Sequence, residues 1–463
     1  MIIPNFIQLD LTNNLYYTDL NAMSRQQVLS GVCVCIAIAC IAIYDLSCAL
    51  IWTCCIMLSY WLFCRIGGQT TDRARIVFNL SIFVYGLYAL LTHTAVVVNP
   101  YTDYFITLDS LGFYERTIDT SNSEWNQILP VVFETFLYSD YYLFIIITSA
   151  MAKIATYFGV ADILLLLKLV NVLAGAFTVG MTYKCACLVK RQPLRPFVLF
   201  LLFTPLIENS VVLMRDIYVC LFYIMAFYYT VVKNCKYRTL KLALIAVLCM
   251  GIRPESGFFC LVFPSLFWII KISRVNLTYK ILIFFSMAVL FCIGIIYLMP
   301  VMTQVLSAYQ LRDLEAASMD SLGARLKAMP IPLNVILPAM YSQLMPFPFW
   351  FTITSSIGGE YCWFSPIFSL FWIYVWSVII FSMWKKRDYL RNNYKPYVYF
   401  LGVSVLYIIM CSYGEVNVRR IMGVYPIVFV CYMLFRDFVN VRHLFAFTTV
   451  GIIFLHIVYL VIK

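Results

Sequence analysis

Charge is scarce in this sequence. Asp, Glu, Lys and Arg make up 12% of its 463 residues, about half of what a soluble domain carries, so composition excludes a water-soluble fold. Histidine is scarcer still. His93, His443 and His456 stand far apart, which excludes a histidine-based triad and a histidine-rich metal site. No P-loop, GxGxxG or GxSxG occurs in a credible strand–turn–helix context. No span carries the arginine series of a voltage sensor, and the short alternating segments of barrel strands are missing. No sequence repeat, low-complexity tract or soluble domain is visible. Cysteine is plentiful at 17 residues, but Cys33, Cys35, Cys40, Cys54 and Cys55 lie inside apolar runs, without zinc-site or disulfide spacing. They read as small buried hydrophobes.

Apolar sequence fills the space that charge leaves. The chain is 63% hydrophobic with a mean hydropathy of +0.88. Runs long enough for the bilayer core lie near 28–44, 47–64, 77–98, 163–188, 196–213, 217–232, 241–252, 256–272, 281–299, 364–384, 396–412, 421–435 and 443–461. These runs predict an all-α polytopic membrane protein of about 13 transmembrane helices. Residues 1–27 are largely polar, and the first long apolar run reads as a retained span.

The net charge of +11 does not point to nucleic acid, because the basic residues sit in short loops between apolar runs. Five connections are basic. They hold Arg65, Arg73 and Arg75; Lys190, Arg191 and Arg195; Lys233, Lys236, Arg238 and Lys241; Lys271, Arg274 and Lys280; and Lys385, Lys386, Arg387, Arg391 and Lys395. Only Asp72 and Asp388 oppose them. Keeping all five on the cytoplasmic side requires an even number of crossings between Arg75 and Lys190. Segments 77–98 and 163–188 supply two, so the ambiguous run Tyr141–Phe158, with Lys153 inside it, is expected to lie in the outer leaflet without crossing. The N-terminus is then cytoplasmic, and two polar segments, 99–162 and 300–362, face outward. The second contains the proline-rich stretch 329–350, which is expected to form short interfacial helices. The sequon Asn276-Leu277-Thr278 falls in a basic connection and reads as chance.

The segment Asn99–Asp140 is the long polar interruption that matters most. It holds Asp103, Asp109, Glu115, Asp119, Glu124, Glu134 and Asp140 against one base, Arg116. On the same expected face lie Glu208 and Asn209, Arg215-Asp216, Arg253-Pro254-Glu255, and Glu415 with Arg419-Arg420. Charge near the bilayer is costly, so such groups face a cavity or a partner. Arginine suits phosphate because its planar fork binds two oxygens. The plainer reading makes Arg215 a partner of Asp216 or Glu208, and Arg253 a partner of Glu255. Arg419-Arg420, with a single acid nearby, leave net positive charge beside the membrane, which suits a phosphate.

The order of these features resembles the multi-spanning GT-C glycosyltransferases of the polyprenyl-phosphate-sugar-dependent kind, family-39-like mannosyl and aminoarabinose transferases. Four elements carry the resemblance: Asp109-Ser110-Leu111-Gly112-Phe113-Tyr114; a non-crossing segment ending in Gly159; the span Leu169–Thr178 closing in Lys190-Arg191; and Pro205 before Arg215-Asp216, with Arg419-Arg420 before Tyr425-Pro426. It runs over about residues 80–435. It implies a single domain with a core at 77–435, a two-span extension at 1–76 and a C-terminal span at 436–463. The extension departs from the usual start, in which the first span leads directly into the catalytic loop.

The resemblance further implies transfer of a sugar from a polyprenyl-phosphate donor to a glycan or lipid acceptor on the extracytoplasmic face of a plasma membrane, here a bacterial inner membrane. Asp109 falls where that family keeps its catalytic carboxylate. Tyr114, Glu115, Arg215, Asp216, Arg253, Glu255, Arg419 and Arg420 become the expected substrate-binding residues. Tyr101, Tyr104 and Trp125 read as interface anchors. Asp109-Ser110 is equally a good helix start. No ligand spacing argues for a metal, although the outer acids could hold a divalent ion. Two other functions fit the same pattern. One is a surface-polysaccharide repeat-unit polymerase or ligase, in which the arginines matter and Asp109 does not. The other is a lipid-linked sugar transporter or flippase, against which stands the absence of an inverted repeat. A membrane scaffold without activity is the remaining alternative.

Overall fold

The computed structural model describes residues 5–66, 72–98, 108–131, 141–233, 235–271, 278, 325–326, 328–345, 365–414 and 418–462. Among the described residues all regular structure is helical. The chain begins with α1 (Asn5–Tyr44), α2 (Leu46–Arg65) and α3 (Asp72–Val98), continues through α4 (Leu108–Ser121) and α5 (Tyr142–Tyr157), and reaches α6 (Ile163–Cys187). Then come α7 (Arg195–Leu202), α8 (Leu206–Val211), α9 (Asp216–Val231), α10 (Arg238–Ile252) and α11 (Pro254–Lys271). The remainder comprises α12 (Leu333–Leu344), α13 (Ser365–Asn393), α14 (Lys395–Gly414), α15 (Val418–Ile421), α16 (Tyr425–Phe435) and α17 (Val441–Ile462).

Among the described residues, 8 helices are long and apolar enough to cross a membrane: parts of α1–α3, α6, α13, α14 and α17, and the run Val418–Phe438. The chain is therefore an all-α polytopic membrane protein. The expected span 196–213 is two short helices instead. Pro205 cannot continue the backbone ladder, so α7 ends at Leu202 and Pro205 becomes the N-cap of α8. The runs 217–232 and 241–252 are helices of 16 and 15 residues, about 24 and 22 Å long, short of the roughly 30 Å hydrocarbon layer. The α5 helix also has 16 residues. The run 281–299, most of 300–362, Tyr101, Asp103, Tyr104, Glu134, Asp140, Asn276 and Glu415 lie outside the described residues. In the proline-rich stretch, α12 is a 12-residue helix whose Gln343 Oε1 accepts from the indoles of Trp372 (2.7 Å) and Trp376 (3.0 Å) on α13.

The bundle is built around α6. Apart from Val170, every residue of α6 from Leu164 to Ala186 is buried, as expected for a helix that is apolar all round. Small residues let its neighbours approach. A Cβ on Gly180 would stand 2.8 Å from Phe63 of α2, and one on Gly175 would stand 2.0 Å from Ser210 Oγ and 3.1 Å from Tyr85. Gly175→Ala is therefore expected to cost about 1–3 kcal/mol through overpacking. Gly402→Ala in α14, where a Cβ meets nothing within 4 Å, should be neutral or mildly stabilising. Thermal midpoints in detergent compare the two, and equal midpoints would remove the tight α6–α8 contact from the account.

The two ends of the bundle differ chemically. At one, basic connections gather: Lys184 donates to the carbonyls of Phe63 and Ile66, Arg73 donates to Gln192 O (3.4 Å), and Lys190 pairs with Asp437. At the other, Asp45 caps α2 through Cys48 N (3.0 Å) and accepts from Ala161 N (2.9 Å), while Asp162 caps α6 through Leu165 N (3.0 Å). Asp162 also pairs with His93 Nε2 (2.5 Å) and accepts from Tyr44 (3.1 Å), and Lys168 Nζ lies 3.5 Å from His93 Nδ1. Burial pushes the Asp162 carboxyl up, but His93, the Leu165 N–H and Tyr44 outweigh it and leave it below the usual carboxylate range. A polar knot thus ties α1, α2 and α3 to the start of α6.

Candidate active site

The α4 helix presents a buried face of Ser110, Phe113, Thr117, Thr120 and Ser121, with Asp109, Glu115, Arg116 and Asp119 exposed. Its spacing of three and four residues makes it amphipathic. The buried face lies on α5, where Thr117 and Thr148 hydroxyls meet at 2.8 Å, Ser149 donates to Thr117 O (3.2 Å), and Lys153 donates to Ser121 O (3.1 Å) and Ser123 O. Gly159, at φ +66°, turns the chain out of α5 in the left-handed conformation that glycine adopts without strain. Asp109 sits in the first turn of α4, where the helix dipole favours a negative charge.

Three further segments converge on that turn. Asn171 of α6, fully buried, donates to the carbonyls of Val212 (2.7 Å) and Met214 (3.0 Å), which fixes the loop leading into Arg215-Asp216. Arg253 lies between α10 and α11 in an extended conformation (φ −158°, ψ 110°), as the residue before a proline should. Arg419 and Arg420 occupy the single turn of α15, and Tyr407 of α14 donates to Arg420 O (3.0 Å).

The result is a layered charge cluster. Innermost, Arg253 Nη1 lies 2.8 Å from Asp216 Oδ1, the two side chains 10% and 5% exposed. Arg253 Nε also reaches Glu255 Oε1 at 3.3 Å. Nearer the surface, Arg419 Nη2 lies 2.8 Å from Asp109 Oδ2, the side chains 25% and 47% exposed, and Arg419 Nη1 touches Met214 Sδ at 3.9 Å. The Arg215 guanidinium stacks over Tyr141 (5.1 Å) and Phe113 (5.9 Å), a cation–π arrangement. The buried Asp216 carboxylate is met by the Arg253 guanidinium at the start of α9. Two ion-paired groups thus stand at this end of the bundle, Arg253 with Asp216 and Glu255, and Arg419 with Asp109.

Of the expected residues, contact joins Asp109 to Arg419, and Asp216 and Glu255 to Arg253; Arg215 precedes Asp216 in the chain, and Arg420 follows Arg419. Tyr114 and Glu115 stand on other faces of α4. Five and six residues beyond Asp109, they are turned about 140° and 120° away from it in opposite senses. Burial and then the charge of Asp162 push the Tyr114 phenol up, and Glu115 is exposed. Phe113, one helical turn from Asp109, lies beneath the Arg215 guanidinium. Of the structural pairings open to Arg253, Glu255 is joined by the closer Asp216. The sequence reading missed Asn171, Met214, Phe113 and Tyr407. Asn171 lay inside the quoted span, and its signal was a side-chain amide in an otherwise apolar helix. Among the described residues, no three His, Cys, Asp or Glu side chains gather as a metal-ligand set. Comparisons with protein-family models, with curated proteins and with solved structures find no match.

Proposed function

We propose that the chain is a membrane glycosyltransferase that moves a sugar from a polyprenyl-phosphate donor to a glycan or lipid acceptor. On this reading the short helices α9, α10 and α11, the broken α7–α8 and the run 281–299 also cross the membrane, giving about 13 spans. The N-terminus is then cytoplasmic, and the charge cluster faces the extracytoplasmic side of a bacterial inner membrane. The observation that carries the reading is the half-exposed Asp109–Arg419 pair at 2.8 Å. It puts a carboxylate able to take a proton against a guanidinium able to hold a phosphate.

In the proposed reaction, the acceptor hydroxyl attacks the anomeric carbon and gives its proton to Asp109. The bond from that carbon to the phosphate oxygen breaks, and the charge on the departing polyprenyl phosphate falls on Arg419 and Arg420. An arginine fork held by a carboxylate cannot present the same nitrogens to a phosphate, so the incoming donor displaces Asp109 from Arg419 and frees it for the acceptor. Arg253, engaged with Asp216 and Glu255, serves as framework beneath the site. Arg215 borders the donor phosphate.

The test is donor consumption by Asp109→Ala in proteoliposomes supplied with polyprenyl-phosphate sugar. Loss of turnover is expected. Full turnover in Asp109→Ala with loss in Arg419→Ala would overturn the assignment in favour of a polymerase or ligase. Transport of the lipid-linked sugar without its consumption would overturn it in favour of a flippase.

A further inference from the structure

A second site opens at the basic end of the bundle, away from the charge cluster. A groove of about 630 Å³ lies between the end of α13 and the start of α17, within the size range of small-molecule sites. Phe381, Trp384 and Phe447 line one part of it, and Lys385, Asn440 and His443 another. Phe381 meets both Trp384 (6.2 Å) and Phe447 (6.5 Å) edge to face. The helical path of α13 breaks at Lys386 (φ −132°, ψ 33°), so its apolar run stops beside the groove. Trp384 is 81% exposed and Phe447 68%, and both stand on helices long and apolar enough to cross a membrane.

The groove is amphipathic, and its charge has one sign. Lys385 is joined by the exposed Lys386, Arg387 and Arg442. Of the acids in these segments, Asp437 is held by Lys190 and Arg436, which leaves Asp388 to face five basic or imidazole side chains. We propose that this groove binds an anionic phospholipid, its phosphate at Lys385 with His443 and Asn440, and an acyl chain along Phe381 and Phe447. Basic pockets between transmembrane helices suit anionic headgroups. A zwitterionic lipid does not use the surplus positive charge, and a free phosphate has no use for the aromatic wall.

Native mass spectrometry of the detergent-solubilised full chain, titrated with phosphatidylglycerol, phosphatidylcholine or glycerol phosphate, tests this directly. Phosphatidylglycerol is expected to bind about tenfold more tightly than phosphatidylcholine, a preference that Lys385→Glu abolishes and Lys236→Glu, in another basic connection, preserves. Phe447→Ala, a surface truncation that leaves the folded bundle in place, should weaken phosphatidylglycerol binding several-fold. Equal binding of the two lipids, equal losses from Lys385→Glu and Lys236→Glu, undiminished binding by Phe447→Ala, or glycerol phosphate binding as tightly as the lipid would each overturn the proposal.

Discussion

Asp109→Asn is expected to lower turnover of a polyprenyl-phosphate sugar by about 10²–10⁴-fold while leaving the folded protein intact. The amide keeps an oxygen where Arg419 now finds one at 2.8 Å, so the contact survives in weaker form. What it lacks is an oxygen that can take up the acceptor's proton. Stability should hardly move, because an ion pair with one partner 47% exposed is screened by solvent and contributes little. The kinetic signature separates the two halves of the pair. Without a competing carboxylate, Arg419 is more available to the donor phosphate, so KM for the donor should stay level or fall and the loss should appear in kcat. Arg419→Gln should instead raise KM for the donor and lower kcat. Steady-state kinetics in proteoliposomes, with a thermal midpoint for each variant, decide the matter. A wild-type kcat in Asp109→Asn would remove this carboxylate from the chemistry.

Arg253→Met should be the most damaging single change in the cluster for stability, at about 3–5 kcal/mol. Methionine fills similar space and removes the charge, stranding Asp216, whose side chain is 5% exposed. Arg419, Arg215 and Arg420 also act on Asp216, but more weakly than Arg253, so their compensation is partial. The double change Arg253→Met with Asp216→Leu should recover much of the loss, since a buried ion pair replaced by apolar groups of similar volume is often tolerated. Thermal midpoints of the wild type, the two single variants and the double variant close the cycle. An Arg253→Met protein as stable as the wild type would mean that this pair does not hold α9 to the α10–α11 junction.

The sequence shows some of this fold plainly and hides other parts for physical reasons. Scarce charge and long apolar runs announce a helical membrane protein, because the bilayer admits few alternatives. Arg215, Arg253 and Arg419 could be singled out at the ends of apolar runs because charge is costly there. Their partners could not be read with the same ease. Asp109 and Arg419 are about 300 positions apart, and only packing decides whether such ends meet. Arg253 could be assigned Glu255, its neighbour in the chain, but Asp216 comes closer because α9 and α10 pack side by side. The motif's spacing points to Tyr114, and the helical period adds Phe113, one turn from Asp109 and beside Arg215. Hydropathy does not reveal that Pro205 divides a run that is apolar on both sides, since it averages over a break that one missing N–H creates. It is least decisive for α9 and α10, whose lengths fall below a full crossing.

The two-span extension has a consequence for biosynthesis. Lys168, near the start of α6, and Lys184, in its last turn, are buried, and a buried lysine in a membrane helix requires a partner. Their partners, His93 for Lys168 and the Phe63 and Ile66 carbonyls for Lys184, all precede α6 in the chain. Synthesis runs from the N-terminus, so α1, α2 and α3 reach the bilayer first and stand ready as a polar dock when α6 leaves the translocon. A chain shortened by its first two helices would release α6 into lipid with Lys184 facing no carbonyl from that hairpin. The end of α2 thus supplies, ahead of α6 in the chain, the carbonyls that its buried Lys184 uses.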